Sequence, residues 1–254
     1  MMPDMRNLKI TLAYDGAAFH GWQFQPGIRT VQETVERSLG KILGHGVSIV
    51  AAGRTDSGVH ALGQVINFRT ASRIPEAGLL RALNDAFPPD LSAMEVCQVP
   101  DDFNARYLAK TKRYVYVIDE SEILSPLLSR YVLHLPGRLD IAGMEQAAHL
   151  LTGEHDFSSF MGAGSSVKTT VRRILDFHIQ ARRPRVYFSI QGSGFLRHMV
   201  RNIVGTLIPV GQGSLAPHDV GRILALRDRT QAGPTAPPQG LYLVEVGYAP
   251  DDSA

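Results

Sequence analysis

Apolar residues along this chain switch between a spacing of two and a spacing of three to four, and they do so in both halves. Leu8, Ile10 and Leu12 alternate with Asn7, Lys9 and Thr11, the pattern of a strand with one buried face. Thr30 followed by Glu33 reads as a capping box, and Val31, Val35, Leu39 and Ile42 recur at helical spacing until Gly44 to Gly46 stop the run. Val47 to Ala52 and Gln64 to Phe68 have strand composition, with a loop from Gly53 to Gly63 between them. Pro75 and Glu76 open a helix to about Phe87, and Leu91 to Val99 resembles a further strand. The second half mixes the same two periods. Arg113 to Ile118 is a strand, Asp140 caps a helix carrying Ile141, Met144, Ala148 and Leu151, and strands Thr169 to Ala181 and Arg185 to Gln191 meet at Arg182-Arg183-Pro184. Helices from about Phe195 to Val210 and Pro217 to Leu226, then a loop from Arg229 to Gln239 and a strand from Leu241 to Tyr248, complete the chain. The class is therefore α+β, with two similar sheet-bearing halves. We divide it as residues 1–104 and 105–254, at the break near Pro100 to Ala105.

At 254 residues the chain is long enough for one large domain or two modest ones. Its 44% hydrophobic and 20% charged residues are ordinary for a globular protein, which excludes wholesale disorder and fibrous structure. No apolar run approaches the roughly 18 residues of a membrane span, and Met1 to Lys9 carries Asp4 and Arg6 where a signal peptide needs an apolar core. The single cysteine, Cys97, allows no internal disulfide and no cysteine zinc site. We expect a cytoplasmic protein with Cys97 as a small core hydrophobe. His20, His60 and His198 are far apart in sequence, without acidic partners at metal-ligand spacing, so no metal is expected.

The formal net charge is only +2, but its distribution is uneven. Between Ser165 and Arg201 stand Lys168, Arg172, Arg173, Arg182, Arg183, Arg185, Arg197 and Arg201 against one acid, Asp176. A second cluster, Arg106, Lys110, Lys112 and Arg113, lies in the acid-free stretch from Phe103 to Ile118. Such local excess suits phosphate backbone contacts, and equally a solvated face.

The most unusual stretch is Gly53-Arg54-Thr55-Asp56-Ser57-Gly58-Val59-His60. Glycines permit close backbone approach, and a guanidinium two residues before a carboxylate favours its ionised form, as a nucleophile or base requires. The same residues also suit a plain Asx turn, and spacing alone does not choose. Ser165-Ser166-Val167-Lys168 formally contains Ser-x-x-Lys, yet the partner motifs of acylating-serine enzymes are missing.

Residues 53–60 resemble the signature of the pseudouridine synthases of the tRNA anticodon arm, the TruA family. Supporting matches follow in order: Tyr14-Asp15-Gly16 with Phe19, Gly21-Trp22-Gln23 and Gln25; Thr30-Val31-Gln32; Phe103-Asn104-Ala105-Arg106; Lys112-Arg113-Tyr114; Asp156 to Phe160; Phe195 to Asn202; and Gly240 to Leu243. They span Lys9 to Tyr248. Asn104 stands where the family more often has His, and Lys112 where it has Arg, which leaves those two side chains' roles in doubt.

The resemblance implies two α/β halves joined into one extended mixed sheet with helices packed on it, the catalytic cleft at the junction, and a homodimer holding tRNA. It implies conversion of uridine to pseudouridine at positions 38 to 40 of the anticodon stem-loop. This isomerisation needs no cofactor. The family's essential Asp maps onto Asp56, acting as nucleophile or as a base on a flipped-out uridine. Arg54 would fill the vacated space or hold the flipped nucleotide's phosphate. Tyr114 would stack on the uracil, Leu241 would wall its pocket and Arg201 would supply a cation to Asp56. Arg106, Lys112, Arg113, Lys168, Arg172, Arg173 and Arg197 would contact the tRNA by shape and backbone. Two other readings stay open: a non-catalytic RNA chaperone, and a synthase acting on other RNA positions.

Overall fold

The computed structural model describes residues 5–164 and 167–249. Met1 and Asp4, weighed above against a signal peptide, and Ser165 and Ser166 of the Ser-x-x-Lys pattern lie outside the described residues. The chain forms two compact units: Met1–Lys110 with Leu243–Ala254, and Thr111–Tyr242.

The first unit contains β1 (Arg6–Tyr14), α1 (Val31–Leu43), β2 (Val50–Ala51), β3 (His60–Thr70), α2 (Glu76–Ala86) and β4 (Leu91–Val99). β1 is central. It pairs antiparallel with β3 on one side and β4 on the other, and Leu8, Ile10 and Leu12 are fully buried, as the period of two requires. The Thr30 hydroxyl accepts from the Glu33 amide at the start of α1, and Gly44 ends that helix in the left-handed region. Val31, Val35 and Leu39 of α1 and Leu79 and Leu83 of α2 are buried, each contributing about 1.5–3 kcal/mol. Cys97 lies on β4 at the sheet edge and is half-buried rather than enclosed in the core.

The second unit runs β5 (Thr111–Asp119), β6 (Leu133–His134), α3 (Ile141–His149), β7 (Gly153–Asp156), β8 (Val171–Arg182), β9 (Arg185–Gly192), α4 (Met199–Gly211) and α5 (Pro217–Leu226). Its strands are ordered β5-β9-β8-β7, with antiparallel ladders, and β6 joins β5 in parallel. The sheet is thus mixed, and the fold is α+β as expected. Asp140 caps α3 by accepting from the Gly143 amide at 3.1 Å. Ile203, Val204 and Leu207 of α4 and Met144 and Ala147 of α3 are buried together with Phe188 and Ile190 of β9.

β10 (Leu241–Gly247) closes the chain's element order, and its residues from Leu243 onward belong to the first unit. There it explains a difference from the sequence reading. The loop expected through Gly63 ends earlier, because β3 already begins at His60. Gly63 is a strand residue: a Cβ there would lie 2.3 Å from the Val244 carbonyl oxygen, so only glycine permits this backbone approach. Gly63→Ala is therefore expected to cost about 2 kcal/mol or more, read from the urea midpoint; an unchanged midpoint would mean that β10 can shift aside freely.

Two other boundaries move. The strand expected over Val47 to Ala52 shrinks to the two residues of β2, which pair with Asn67 and Ile66. The helix expected from Phe195 starts at Met199, because His198 stands in the left-handed region (φ 60°) and no regular helix continues through it.

Candidate active site

Residues 52–59, between β2 and β3, carry Arg54 and Asp56. The loop is pinned along its length by other parts of the first unit. Gln64 donates to the Gly53 carbonyl at 2.8 Å, and the Trp22 amide donates to the Thr55 carbonyl at 3.0 Å. The Val59 amide returns to the Asp56 carbonyl at 3.2 Å, so Asp56 opens a tight turn. Gly21, at φ +85°, allows the segment beneath to come this close: a Cβ there would stand 3.0 Å from Thr55 O and 3.1 Å from Ser57 N. Buried His60 accepts from the Gly16 amide at 3.1 Å, tying the end of β1 to the start of β3. Trp22, 3% exposed and 6.4 Å from the Tyr14 ring, is a packing anchor.

Within this frame Thr55 is buried, Asp56 is half-buried and Arg54 is exposed. A carboxylate on a fixed turn with one side open to solvent can meet a substrate without first reorganising the backbone.

One support was not given a role by sequence reasoning. The Tyr14 and Thr55 hydroxyls hydrogen-bond at 2.8 Å in the interior. Tyr14 continues the buried face of β1 after Leu8, Ile10 and Leu12, which is the one sequence signal that could have indicated it. Burial pushes the Tyr14 hydroxyl up to about 12. In the unfolded chain that proton leaves near pH 10. The resulting stability is thus complete below pH 10 and is lost as pH climbs towards 12. Tyr14→Phe is expected to lose about 1–2 kcal/mol at pH 7 and to flatten the fall in stability near pH 11 by as much as ~1.4 kcal/mol per pH unit. Urea unfolding across that range checks both, and a slope equal to wild type would exclude Tyr14 as a titrating support.

The remaining candidates for direct roles lie in the second unit. Tyr114 on β5 is 8% exposed, and its ring meets Phe195 edge-on at 5.2 Å. Arg201, in the first turn of α4, donates from Nε to the Ala236 carbonyl at 2.7 Å, and its own carbonyl accepts from the Ala236 amide at 3.1 Å. The segment after Ala236 passes Tyr116, whose hydroxyl donates to Pro237 O at 2.8 Å, and reaches Leu241, 5% exposed. Arg201 and Leu241 are thus positioned by one stretch of chain.

The basic residues divide by exposure. Arg106, Lys168, Arg173 and Arg197 are exposed, whereas Lys112, Arg113 and Arg172 are half-buried. Arg113 bonds Gln191 Oε1 at 2.5 Å and lies 3.8 Å from Asp176. Arg172 donates to the Thr169 and Val171 carbonyls, and Arg197 to that of Ala163. Among the described residues no three His, Cys, Asp or Glu side chains gather as metal ligands, and no helix is long and apolar enough to cross a membrane.

A family model described as tRNA pseudouridine synthase matches residues 10–108 and 147–249. The chain belongs to the tRNA pseudouridine synthase family. A tRNA pseudouridine synthase A of Acetivibrio thermocellus is 48% identical over 244 residues, covering 96% of this chain and 100% of the relative. One from Syntrophotalea carbinolica is 44% identical over 248 residues, covering 98% of each. A solved Cbf5-Nop10-Gar1 complex aligns with 97% of this chain and 59% of its counterpart at 12% identity and a TM-score of 0.38. The family segments contain Arg54, Asp56, Arg106, Arg201 and Leu241; Lys112, Arg113 and Tyr114 fall between them. As a member of this family the chain is an enzyme, an isomerase.

Proposed function

We propose that the protein converts uridine to pseudouridine at positions 38, 39 or 40 of the tRNA anticodon stem-loop, with Asp56 as the reacting carboxylate. The observation that carries this is the pinned turn: Asp56 sits half-exposed on backbone held at Gly53, Thr55 and Val59. In the reaction the bond from uracil N1 to ribose C1′ breaks and a bond from C5 to C1′ forms; C5 gives up a proton and N1 gains one. Every atom of the uridine is kept. A carboxylate suits this chemistry because it stabilises positive charge developing on the sugar.

Reaching C1′ requires the nucleotide to leave its stack, at a few kcal/mol. We assign Arg54 to the flipped nucleotide's phosphate, Tyr114 and Leu241 to the faces of the uracil, and Arg201 to positive charge for the reacting carboxylate. Asp56 serves either as nucleophile or as the base that takes a ribose proton. A covalent protein–RNA adduct marks the first route, and slowing by deuterium at C2′ marks the second. Arg106, Lys112, Arg113, Lys168, Arg172, Arg173 and Arg197 supply phosphate contacts around the site. From the single cysteine we place the enzyme in the cytoplasm, and by the same resemblance we take it as a homodimer; a single-chain mass by light scattering at assay concentration overturns the dimer.

The test uses unmodified tRNA transcripts with uridine at 38 to 40, mapped by chemical adduct and primer-extension stops. Product at those positions is expected. Product elsewhere keeps the chemistry and overturns the assigned positions, while binding with no product anywhere moves the protein to an RNA chaperone.

A further inference from the structure

One face of α1, outside the loop just described, lines a cavity. Thr34, Arg37, Ser38 and Lys41 follow one another at steps of three and four, so they share one side of the helix. With Arg29 before the helix and Ala86, Phe87 and Pro88 at the end of α2, they line a cavity of about 390 Å³ in the first unit. Its charge is uneven. Arg29 is bound on both nitrogens by Asp90 at 2.7 Å and lies 4.2 Å over the Phe19 ring, so its position is fixed and its charge matched. Arg37 and Lys41 are exposed, and among the described residues neither makes an ion pair.

Ser38 adds a polar group to the lining. The residue is 6% exposed and lines the cavity; its hydroxyl makes no hydrogen bond among the described residues and remains accessible to solvent. Thr34, one turn earlier, instead returns its hydroxyl to the Thr30 carbonyl at 2.9 Å. The cavity is therefore lined by a hydroxyl, by two exposed cations that make no ion pair among the described residues, and by the apolar groups of Ala86, Phe87 and Pro88.

We infer that this cavity holds one sugar-phosphate unit of the bound RNA backbone. Arg37 and Lys41 meet the phosphate oxygens with charge-assisted hydrogen bonds, Ser38 donates to the same group, and Phe87 and Pro88 pack against the ribose. A volume of this size exceeds what a phosphate alone occupies and accommodates the attached sugar. The assignment rests on the reading of the protein as a tRNA enzyme, and adds a phosphate contact outside the two basic clusters of the sequence.

The test measures binding of unmodified tRNA from 50 to 300 mM salt for wild type, the double variant Arg37→Gln/Lys41→Gln, Ser38→Ala, and Arg81→Gln as a charge control on α2. The double variant is expected to bind about tenfold more weakly near 100 mM salt, with the slope of log affinity against log salt lower by about 1. Its kcat at saturating tRNA stays that of wild type. Ser38→Ala weakens binding by a smaller factor, and Arg81→Gln changes neither affinity nor slope. An affinity and slope for the double variant equal to those of Arg81→Gln overturn the inference. So does a rise in melting temperature with inorganic phosphate that the double variant loses while tRNA binding is unaltered, since the cavity would then serve free phosphate. Wild-type protein that binds tRNA without forming pseudouridine overturns the catalytic reading alone; pseudouridine formed by a double variant of unchanged affinity overturns this one alone.

Discussion

Asp56→Asn is expected to bind tRNA as tightly as wild type and to form no measurable pseudouridine, a fall of at least roughly 10³-fold in kcat. Asn has the shape of Asp, and the turn keeps its bonds at the Gly53, Thr55 and Asp56 carbonyls and at the Tyr14–Thr55 hydroxyl pair. The substitution therefore removes the negative charge and leaves the loop in place. Neither sugar attack nor proton removal can be performed by a neutral amide. Single-turnover assays with excess protein separate this from weak binding, and circular dichroism confirms the fold. Activity within tenfold of wild type would remove Asp56 from the chemistry and turn attention to another carboxylate.

Asn202→Leu is expected to bring the largest loss of stability, about 3 kcal/mol or more. Asn202 is fully buried in α4. Its Nδ2 donates to the Phe160 carbonyl at 2.8 Å, and its Oδ1 accepts from Thr235 Oγ1 at 2.6 Å and Arg229 Nη2 at 3.1 Å. Arg229 in turn holds the Ala232 and Gly233 carbonyls. Leucine fills the space but satisfies none of these groups, and each buried one left unpaired costs about 1–3 kcal/mol. The melting temperature should fall by roughly 10 °C. Asn202→Asp, which keeps both acceptor contacts and loses only the donor to Phe160, should fall less. Because the released segment leads to Ala236, where Arg201 is held, the leucine variant should also lose kcat below its melting transition. A melting temperature within 2 °C of wild type would show that the network is dispensable.

What the sequence disclosed was local. Thr30 and Asp140 were legible as caps because each bonds an amide three residues ahead. The β8–β9 hairpin was legible from two period-two runs on either side of a Pro-containing turn. Gly63 misled, since a glycine kept for a neighbouring strand's carbonyl looks the same as a glycine in a loop. The start of α4 misled because Phe195 continues an apolar spacing although His198 breaks the helix. At the candidate site the string Gly53 to His60 stood out by resemblance, but its supports did not. Tyr14 meets Thr55 across 41 residues, and Asn202 gathers groups from Phe160 to Thr235; no window of sequence contains either arrangement. Cys97 shows the same limit, because its exposure depends on β4 lying at the sheet edge.

The placement of Leu243 and the residues after it beside Gly63 bears on how the protein is made. During synthesis the first unit emerges early, yet the strand that flanks β3 is separated from Lys110 by the whole of the second unit. At about 5–20 residues per second that interval is on the order of ten seconds. Throughout it the part of β3 that β2 leaves uncovered offers unpaired amides and carbonyls to any other extended chain. Conditions that slow translation of the second unit should therefore lower the yield of soluble protein without altering the stability of what has folded.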